Sequence, residues 1–163
     1  MNLLFNQGHF FIYFQTNRRR TMETTIFSGD IGVKLAVGID MADITGDLEA
    51  LVKDAGIRTG TLFATMTGST GSLTAIEHEP GVMADLRRAI DRMAPADMAY
   101  EHEKAWQDGN GHSHVQAAMI GPSISMQIRD GRMLRGTWQQ VVAINHDNRP
   151  RNRTVAVTIM GGQ

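Results

Sequence analysis

The sequence of 163 residues contains no cysteine. This absence excludes a disulfide framework, a thiolate nucleophile and zinc or iron-sulfur sites that depend on cysteine ligands. Any metal held by the protein would have to be bound by His, Asp, Glu or Asn side chains. A chain without cysteine is compatible with a reducing compartment, and we expect a cytoplasmic protein.

An excess of charge of either sign is also missing. Sixteen Lys and Arg residues stand against seventeen Asp and Glu residues, which gives a formal net charge of -1 at pH 7. Such a balance provides no global field that would recruit a polyanion or an anionic surface. We therefore expect neither nucleic-acid binding nor binding to a membrane surface.

The chain has no long apolar run. Residues 3–14 are apolar in places but are interrupted by polar residues, and they are too few to form a helix that crosses a bilayer. Three arginines, at positions 18–20, follow this stretch, which is the reverse of the order in a secretory signal. We expect residues 1–21 to be an N-terminal extension, either disordered or upstream of the true start, and residues 22–163 to form a single domain.

The spacing of apolar residues predicts both helices and strands. Apolar positions recur at helical spacing over residues 44–55 and from Pro80 to Met93, and Ser113 is positioned to cap a third, short helix that ends near residue 120. Alternating or continuous apolar runs predict two strands within residues 24–38 and further strands at 60–66, 72–77, 123–128, 136–144 and 154–160. About seven strands with two to three helices, not in strict βαβ order, predict an α+β fold with a largely antiparallel sheet or sandwich.

One segment concentrates the polar side chains that carry chemistry. Three of the six histidines, His102, His112 and His114, lie between residues 100 and 114, near Asp108 and Asn110. Imidazole titrates near neutrality, binds metals and donates hydrogen bonds to phosphate, so the cluster predicts a polar functional site. Since His112 and His114 fall at the start of the third helix, backbone N–H groups there favour an anion such as phosphate.

The histidines also suggest a metal site. His102, His112 and His114, with Glu77 or Asp108, are sufficient ligands for a catalytic zinc or a similar divalent ion. A His-x-His pair is common by chance, so the spacing does not identify a metal site by itself. Two alternatives stay open: one histidine packs under the sheet while another caps the helix, or a bound diphosphate holds magnesium.

Other residues are candidates for contact with a ligand. Glu77, at the end of an apolar strand, is either a general acid or base or a carboxylate in an ion pair. Ser69 and Thr70 lie between glycines, which is typical of an anion-binding turn and equally of a plain turn. Trp138 is either an aromatic platform for a ligand ring or a core residue. We place Thr137 and Gln139 beside it in the same ligand-binding group, because the Gln139 amide can hydrogen bond to a ligand.

These motifs resemble those of a known family. The segment from Ser123 to Val141, with Gly131 and then the run Gly136-Thr137-Trp138-Gln139, is similar to the signature of the YjbQ family. The resemblance extends over about residues 22–161. It includes Glu77, Asp85, Leu86, His102, the run from Asn110 to His114 and the arginine-rich connection at 149–153.

The chain departs from the family pattern in two places. Many members carry a His-Thr-Ser or His-Thr-Thr run nine residues before the glutamate, whereas this chain has Gly68-Ser69-Thr70. A site that depended on that histidine must be altered here. Met126 also replaces a branched aliphatic residue, which is a change that a core position tolerates.

The resemblance implies a compact α+β domain that assembles as a homotrimer, with the polar residues near subunit boundaries. It further implies a weak thiamine-phosphate synthase activity, in which an aminopyrimidine diphosphate is joined to a thiazole phosphate and pyrophosphate is released. On this hypothesis the protein binds a phosphorylated small molecule, and Glu77, His102, His112 and His114 are catalytic. The alternative hypothesis is a non-catalytic, oligomeric module that binds metal or phosphate.

Overall fold

The structure, a computed structural model, describes residues 23–163, which contain eight β-strands, three α-helices and a short 3-10 helix. The expected extension at residues 1–21 lies outside the described residues. The strands are β1 (Thr25–Leu35), β2 (Asp40–Asp43), β3 (Thr59–Met66), β4 (Gly71–Ile76), β5 (Ser123–Arg129), β6 (Arg132–Met133), β7 (Gln140–Asn145) and β8 (Arg151–Gly162). The helices are α1 (Thr45–Ala55), α2 (Pro80–Met93) and α3 (Gly111–Ile120), with the 3-10 helix at Glu101–Lys104.

The strands form two antiparallel sheets. One has five strands in the order β1-β8-β3-β5-β6, and the other has three strands in the order β2-β7-β4. Apolar side chains of both sheets share one core, in which Leu62 and Val157 of the larger sheet join Leu73 and Val141 of the smaller one. The predicted α+β fold with an antiparallel sandwich is confirmed.

The smaller sheet is covered on both faces. Along β7, Val141 and Ala143 point into the core between the sheets, whereas Val142 and Ile144 point to the opposite side and pack with Met83 of α2. Successive side chains of a strand face opposite directions, so a central strand buried on both sides must be apolar throughout. This outer layer consists of α2 and α3, and α3 carries the candidate residues His112 and His114.

Two helices begin and end where local chemistry predicts. The backbone N–H of Thr45 donates to Asp43 Oδ1 at 2.8 Å, and Gly56 ends α1 with a left-handed φ of 64°. Helix α2 begins at Pro80 and ends at Met93, as predicted.

The start of α3 differs from the prediction. Asn110 rather than Ser113 stands at the N-cap position, and Ser113 lies inside the helix. The Ser113 hydroxyl instead donates to the carbonyl oxygen of His146 at 2.6 Å. The Ser113 hydroxyl therefore bonds to a residue distant in the sequence and does not cap the helix.

Two strand predictions were also wrong. Residues 25–35 form a single strand, because all eleven positions pair with β8, and Gly29 within it provides space for Leu51 of α1. The strand predicted at 136–144 begins only at Gln140, since residues 136–139 form a turn closed by Gly136 and Gln139. The short strands β2 and β6 were not predicted.

Candidate functional site

The candidate residues fall into two groups at opposite ends of the small sheet. Gly71 of β4 pairs with Asn145 of β7 at one end, and Ile76 pairs with Gln140 at the other. Thr70 and the three histidine candidates belong to the first end. At the second end, Glu77 directly follows β4, and residues 137–139 directly precede β7. Five residue steps of about 3.3 Å place the two ends roughly 17 Å apart.

The first group contains a cluster of His102, Asp108 and His114, which we call the histidine cluster. The rings of His102 and His114 have centroids 4.7 Å apart, and His102 Nε2 lies 3.3 Å from Asp108 Oδ1. That nitrogen is shielded from solvent and has no hydrogen-bond partner among the described residues. The exposed ring of Trp106 stacks on His102 with a centroid distance of 6.5 Å. A shielded ring nitrogen that makes no hydrogen bond is a candidate ligand atom.

Glu103 organises the loop that carries this cluster. Its two carboxylate oxygens accept hydrogen bonds from the backbone N–H groups of Gly109 at 2.8 Å and Gly111 at 3.0 Å. These hydrogen bonds hold the pKa of Glu103 below its usual value. Ligand atoms of His102, Glu103 and Asp108 all lie within 4.8 Å of one another, which makes Glu103 a metal-ligand candidate that the sequence analysis missed. His114 is outside this group, although its ring contacts that of His102.

Asn110 connects this loop to the turn after β7. Its Oδ1 accepts a hydrogen bond from the backbone N–H of Asn148 at 3.2 Å, and Asn148 Nδ2 donates to the carbonyl of Asp108 at 2.7 Å. Asn110 is buried, and its amide joins the loop before α3 to the turn after β7. The exposed Arg149 and the half-exposed Arg151 follow Asn148 directly, on a turn fastened to the histidine cluster.

His112 lies on a different side of α3 from His114. It contacts Tyr100, with ring centroids 6.3 Å apart, and its Nε2 is 3.3 Å from the Ser113 hydroxyl. It lines a cavity with Gln116 and His146, while His114 joins His102. Two residues along a helix are separated by about 200°, so the structure brings only two of the three predicted histidines together.

A buried polar network extends behind the cluster, and we call it the interior network. Arg153 is 7% exposed, and its Nη2 donates to the carbonyl and hydroxyl of Thr70 and to Asn145 Oδ1. Asp147 accepts from the Thr70 hydroxyl at 2.8 Å and from Arg151 Nε at 2.8 Å. Burial of Asp147 opposes its ionisation, but the hydrogen bonds from Thr70 and Arg151 and the nearby arginine charges outweigh this, so its pKa is lowered.

Sequence reasoning missed most of this network. It noted the arginine-rich connection at 149–153 only as part of the family resemblance, but Arg153 is the first buried residue of β8. The available signal was the alternation of β8, in which Arg153, Val155 and Val157 occupy equivalent positions. An arginine in that register is expected to lie inside with a partner.

His146 is the second buried residue that the sequence analysis left out. It is fully buried, its Nε2 is 2.8 Å from the Ser72 hydroxyl, and its Nδ1 is 3.3 Å from Gln116 Oε1. Burial, together with the charge of Arg153 and the proximity of His112, lowers the pKa of His146 to about 4. It is therefore neutral at pH 7.

The Ser69-Thr70 turn divides between surface and interior. Ser69 is exposed, whereas Thr70 is 5% exposed and its hydroxyl contacts Asp147 and Arg153. Gly68 adopts a φ of 110°, and a Cβ there would lie 3.0 Å from Arg153 Nη1. Any other residue at position 68 would have a strained backbone, and its side chain would crowd Arg153. The turn with Arg153 buried beneath it therefore favours glycine at this position.

The second group lies at the far end of the small sheet. Glu77 is exposed, and the backbone of His78 beside it donates to Gln140 Oε1 at 3.0 Å. Trp138 is 69% exposed on the turn before β7, so it is not a core residue. Thr137 borders a cavity of about 570 Å³ between α1 and β6. One chain therefore does not bring Glu77 or Trp138 to the histidines.

None of the helices within residues 23–163 combines the length and the apolar character that crossing a bilayer requires.

Comparisons with known proteins agree with this fold. The family described as UPF0047 protein YjbQ-like matches residues 30–162. The UPF0047 protein YugU of Bacillus subtilis is 32% identical over 124 residues, which cover 75% of this chain and 90% of that protein. A UPF0047 protein of Methanothermobacter thermautotrophicus is 27% identical over 136 residues, covering 83% of this chain and 93% of that protein.

Solved structures show the same architecture. A YbjQ-like protein of unknown function from Sulfolobus solfataricus superposes with a TM-score of 0.81 at 29% identity, covering 85% of this chain and 99% of that one. A hypothetical protein from Aeropyrum pernix superposes with a TM-score of 0.77 at 28% identity, covering 83% of this chain and 98% of that one. Because the family match extends over most of the described residues and is supported by both sequence and structure, this chain belongs to the YjbQ-like UPF0047 family.

Proposed function

We propose that this protein binds a phosphorylated small molecule together with a divalent cation at the histidine cluster. The observation that carries the proposal is the position of His102, whose shielded and unpaired Nε2 lies beside Asp108 and next to the ring of His114. His102 and Asp108 would supply one imidazole and one carboxylate, and a rotation of the neighbouring His114 ring would add a second imidazole. Two imidazoles and a carboxylate suit zinc and leave one tetrahedral position for a water or a phosphate oxygen. Magnesium is the alternative ion, since Asp108 and Glu103 supply the one or two carboxylates that it takes beside a phosphate.

The surroundings of the cluster favour an anionic ligand. Arg149 is exposed on the turn after β7, which is held through Asn148 to the loop that carries Asp108, whereas Arg151 is paired with Asp147. Guanidinium groups fork onto phosphate oxygens, and a cation at the cluster would neutralise further negative charge. These groups would supply binding and charge stabilisation for a phosphate or a diphosphate.

The reaction that the family resemblance implies is that of thiamine-phosphate synthase. A bond forms between the methylene carbon of the aminopyrimidine and the thiazole nitrogen, and the bond from that carbon to pyrophosphate breaks. In this chain the arginines and the bound cation would stabilise the departing pyrophosphate, and His114 or Glu77 would move protons. Such chemistry in the cytoplasm is the setting we propose for the protein.

Glu77 connects this reaction to the oligomeric state. Because one chain holds Glu77 and Trp138 roughly 17 Å from the histidine end of the sheet, a site that used both ends would require a second copy. The homotrimer implied by the resemblance would provide such copies. Analytical ultracentrifugation tests the assembly: a species of three chains is expected, and a monomer at all concentrations would contradict a shared site.

Metal binding tests the central part of the proposal. Equilibrium dialysis against zinc, followed by elemental analysis, is expected to give one ion per chain and at least a tenfold loss of affinity in His102→Ala and in His114→Ala. His78→Ala is the matched control, since His78 is exposed at the opposite end of the small sheet. Equal affinity in all three variants would contradict the assignment of the ligands.

Turnover separates the enzyme from a second candidate, a non-catalytic metal- or phosphate-binding module. The exposed position of Glu77, far from the histidines, favours this second candidate. The assay measures pyrophosphate release from the aminopyrimidine diphosphate and the thiazole phosphate. Release that is lost in His114→Ala supports the transferase, whereas zinc binding without any release supports the module.

A further inference from the structure

A second cavity lies on the other side of α3 from the histidine cluster. Its volume is about 340 Å³, and it lies between α2, α3 and the turn after β1. This volume is at the lower end of the range for sites that take small molecules. The lining residues that matter here are Ile39, Arg87, Arg88, His112, Gln116 and His146.

The inner wall of this cavity is rigid and already satisfied. Gln116 is 2% exposed, its Nε2 donates to the carbonyl of Ala94 at 2.8 Å, and its Oε1 is 3.3 Å from His146 Nδ1. Since Gln116 Oε1 can only accept, His146 Nδ1 carries the proton and His146 Nε2 accepts from Ser72. A ligand would find a preformed wall here, with no unpaired buried group to satisfy.

His112 is the polar group on this wall that remains available. The Ser113 hydroxyl gives its proton to the carbonyl of His146, so the 3.3 Å contact with His112 Nε2 requires that nitrogen to be the donor. Nδ1 of His112 is then left without a hydrogen-bond partner among the described residues. As an unprotonated ring nitrogen it can accept a hydrogen bond from a donor group of a ligand in the cavity.

The rim of the cavity carries net positive charge. Arg87 lines the cavity and uses its Nε to donate to the carbonyl of Ile39 at 2.8 Å, and its terminal nitrogens make no hydrogen bond within residues 23–163. Arg88 contributes a second guanidinium, although it also pairs with Asp85. Asp91 is the single carboxylate among the residues that line the cavity, so two cations stand against one anion.

We propose that this cavity is a second ligand site, separate from the histidine cluster, that binds a small organic monoanion with an apolar body. Ile39 and Ala96 would contact the apolar part together with the His112 ring, and the free terminal nitrogens of Arg87 would hold a carboxylate. A dianion is disfavoured because the lining offers only one net positive charge and includes Asp91. The class of ligand is therefore an aromatic or aliphatic monocarboxylate.

The test is a titration of the full chain, labelled with nitrogen-15, with benzoate, cyclohexanecarboxylate and hexanoate. Benzamide and phenyl phosphate serve as the neutral and dianionic comparisons. We expect saturable shifts of the backbone signals of Ile39, His112 and Gln116 with at least one carboxylate, and at least tenfold weaker binding of both comparison compounds. An Arg87→Gln variant should bind about tenfold more weakly, as expected for the loss of one charge-assisted hydrogen bond.

Two control variants and one further test variant make the outcome decisive. Arg92→Gln removes an exposed arginine of the same helix that does not line the cavity, and His102→Ala alters only the histidine cluster, so both should bind benzoate as the parent chain does. His112→Ala should weaken binding. The proposal is overturned if no carboxylate gives saturable shifts, if the shifts centre on His102, or if Arg87→Gln binds with unchanged affinity.

Discussion

The interior network and the histidine cluster are neighbours that differ in how their polar groups are satisfied. In the interior network, Thr70, Asn145, Asp147 and Arg153 are buried and hold one another through short hydrogen bonds. Arg153 Nε has no partner among the described residues, but the same guanidinium makes three hydrogen bonds through Nη2. In the histidine cluster, the shielded His102 Nε2 also lacks a hydrogen-bond partner, and the His102 ring makes no other hydrogen bond within residues 23–163. Buried groups that are paired stabilise a fold, whereas a shielded and unpaired ring nitrogen near the surface is available for a ligand. Substitutions in the two regions should therefore affect different properties.

The largest effect on stability is expected for Asp147→Ala. The substitution leaves Arg153 buried without its main carboxylate and should lower the free energy of unfolding by about 3–5 kcal/mol. Urea unfolding measures the change, with Glu101→Ala as a control that removes an exposed ion-pair partner and should change stability by less than about 0.5 kcal/mol. Similar small changes in both variants would show that the interior network does not stabilise the fold.

Acidic pH should destabilise the protein through His146. Its pKa is lowered from 6.5 to about 4 in the folded state, so between these values the unfolded chain binds a proton that the folded chain does not. Stability from this residue is complete above about pH 6.5 and falls as the pH drops towards 4. The loss should reach about 2 kcal/mol by pH 4.5.

The comparison of the parent chain with His146→Gln isolates this contribution. The substitution lowers stability at pH 7, but the difference between the two proteins should narrow between pH 6.5 and 4.5. Urea unfolding at a series of pH values provides the measurement. A difference that stays constant over this range would mean that the pKa of His146 is not depressed by burial.

A smaller effect is expected for Thr70→Val. The change keeps the shape of the side chain but removes the hydroxyl that donates to Asp147 and accepts from Arg153, which should cost about 1–2 kcal/mol. Ser69→Ala is the matched control, because Ser69 is exposed in the same turn and should change stability by less than about 0.5 kcal/mol. Equal losses of unfolding free energy in the two variants would show that the buried Thr70 hydroxyl contributes no more to stability than the exposed Ser69 hydroxyl.

The smallest effect on stability is expected in the histidine cluster. His102→Ala and His114→Ala remove half-buried rings and should change the free energy of unfolding by less than about 1 kcal/mol. The same variants should lose zinc affinity by at least about tenfold. A large loss of stability in the absence of metal would assign these histidines to the fold rather than to a ligand site.

Local patterns predicted the elements whose ends are set by neighbouring residues. Helix α1 follows from Asp43 and Gly56, and α2 follows from Pro80 and its apolar stripe. The pairing of β1 with β8 was not predictable in this way, because its partners are more than a hundred residues apart. The sequence analysis divided this segment into two strands, although it is one strand in which Gly29 provides space for Leu51.

The candidate site was predictable in part for the same reason. The sequence placed His102, Asp108 and His114 close together along the chain, and the structure brings their side chains into one cluster. The burial of Arg153 depends on Thr70, which is 83 residues away, so no local pattern indicated that interaction. The position of Glu77 depends on the length of β4, which carries it away from the histidines.

Anomalous scattering at the zinc edge, from crystals soaked with zinc, tests the role of the histidine cluster most directly. We predict a single strong peak about 2.0–2.1 Å from His102 Nε2 and from a ring nitrogen of His114, with Asp108 as a further ligand. Addition of inorganic pyrophosphate should bring an oxygen into the remaining position. A map with no peak there, or with zinc only at other surface histidines such as His78, would contradict the assignment of this cluster as a ligand site.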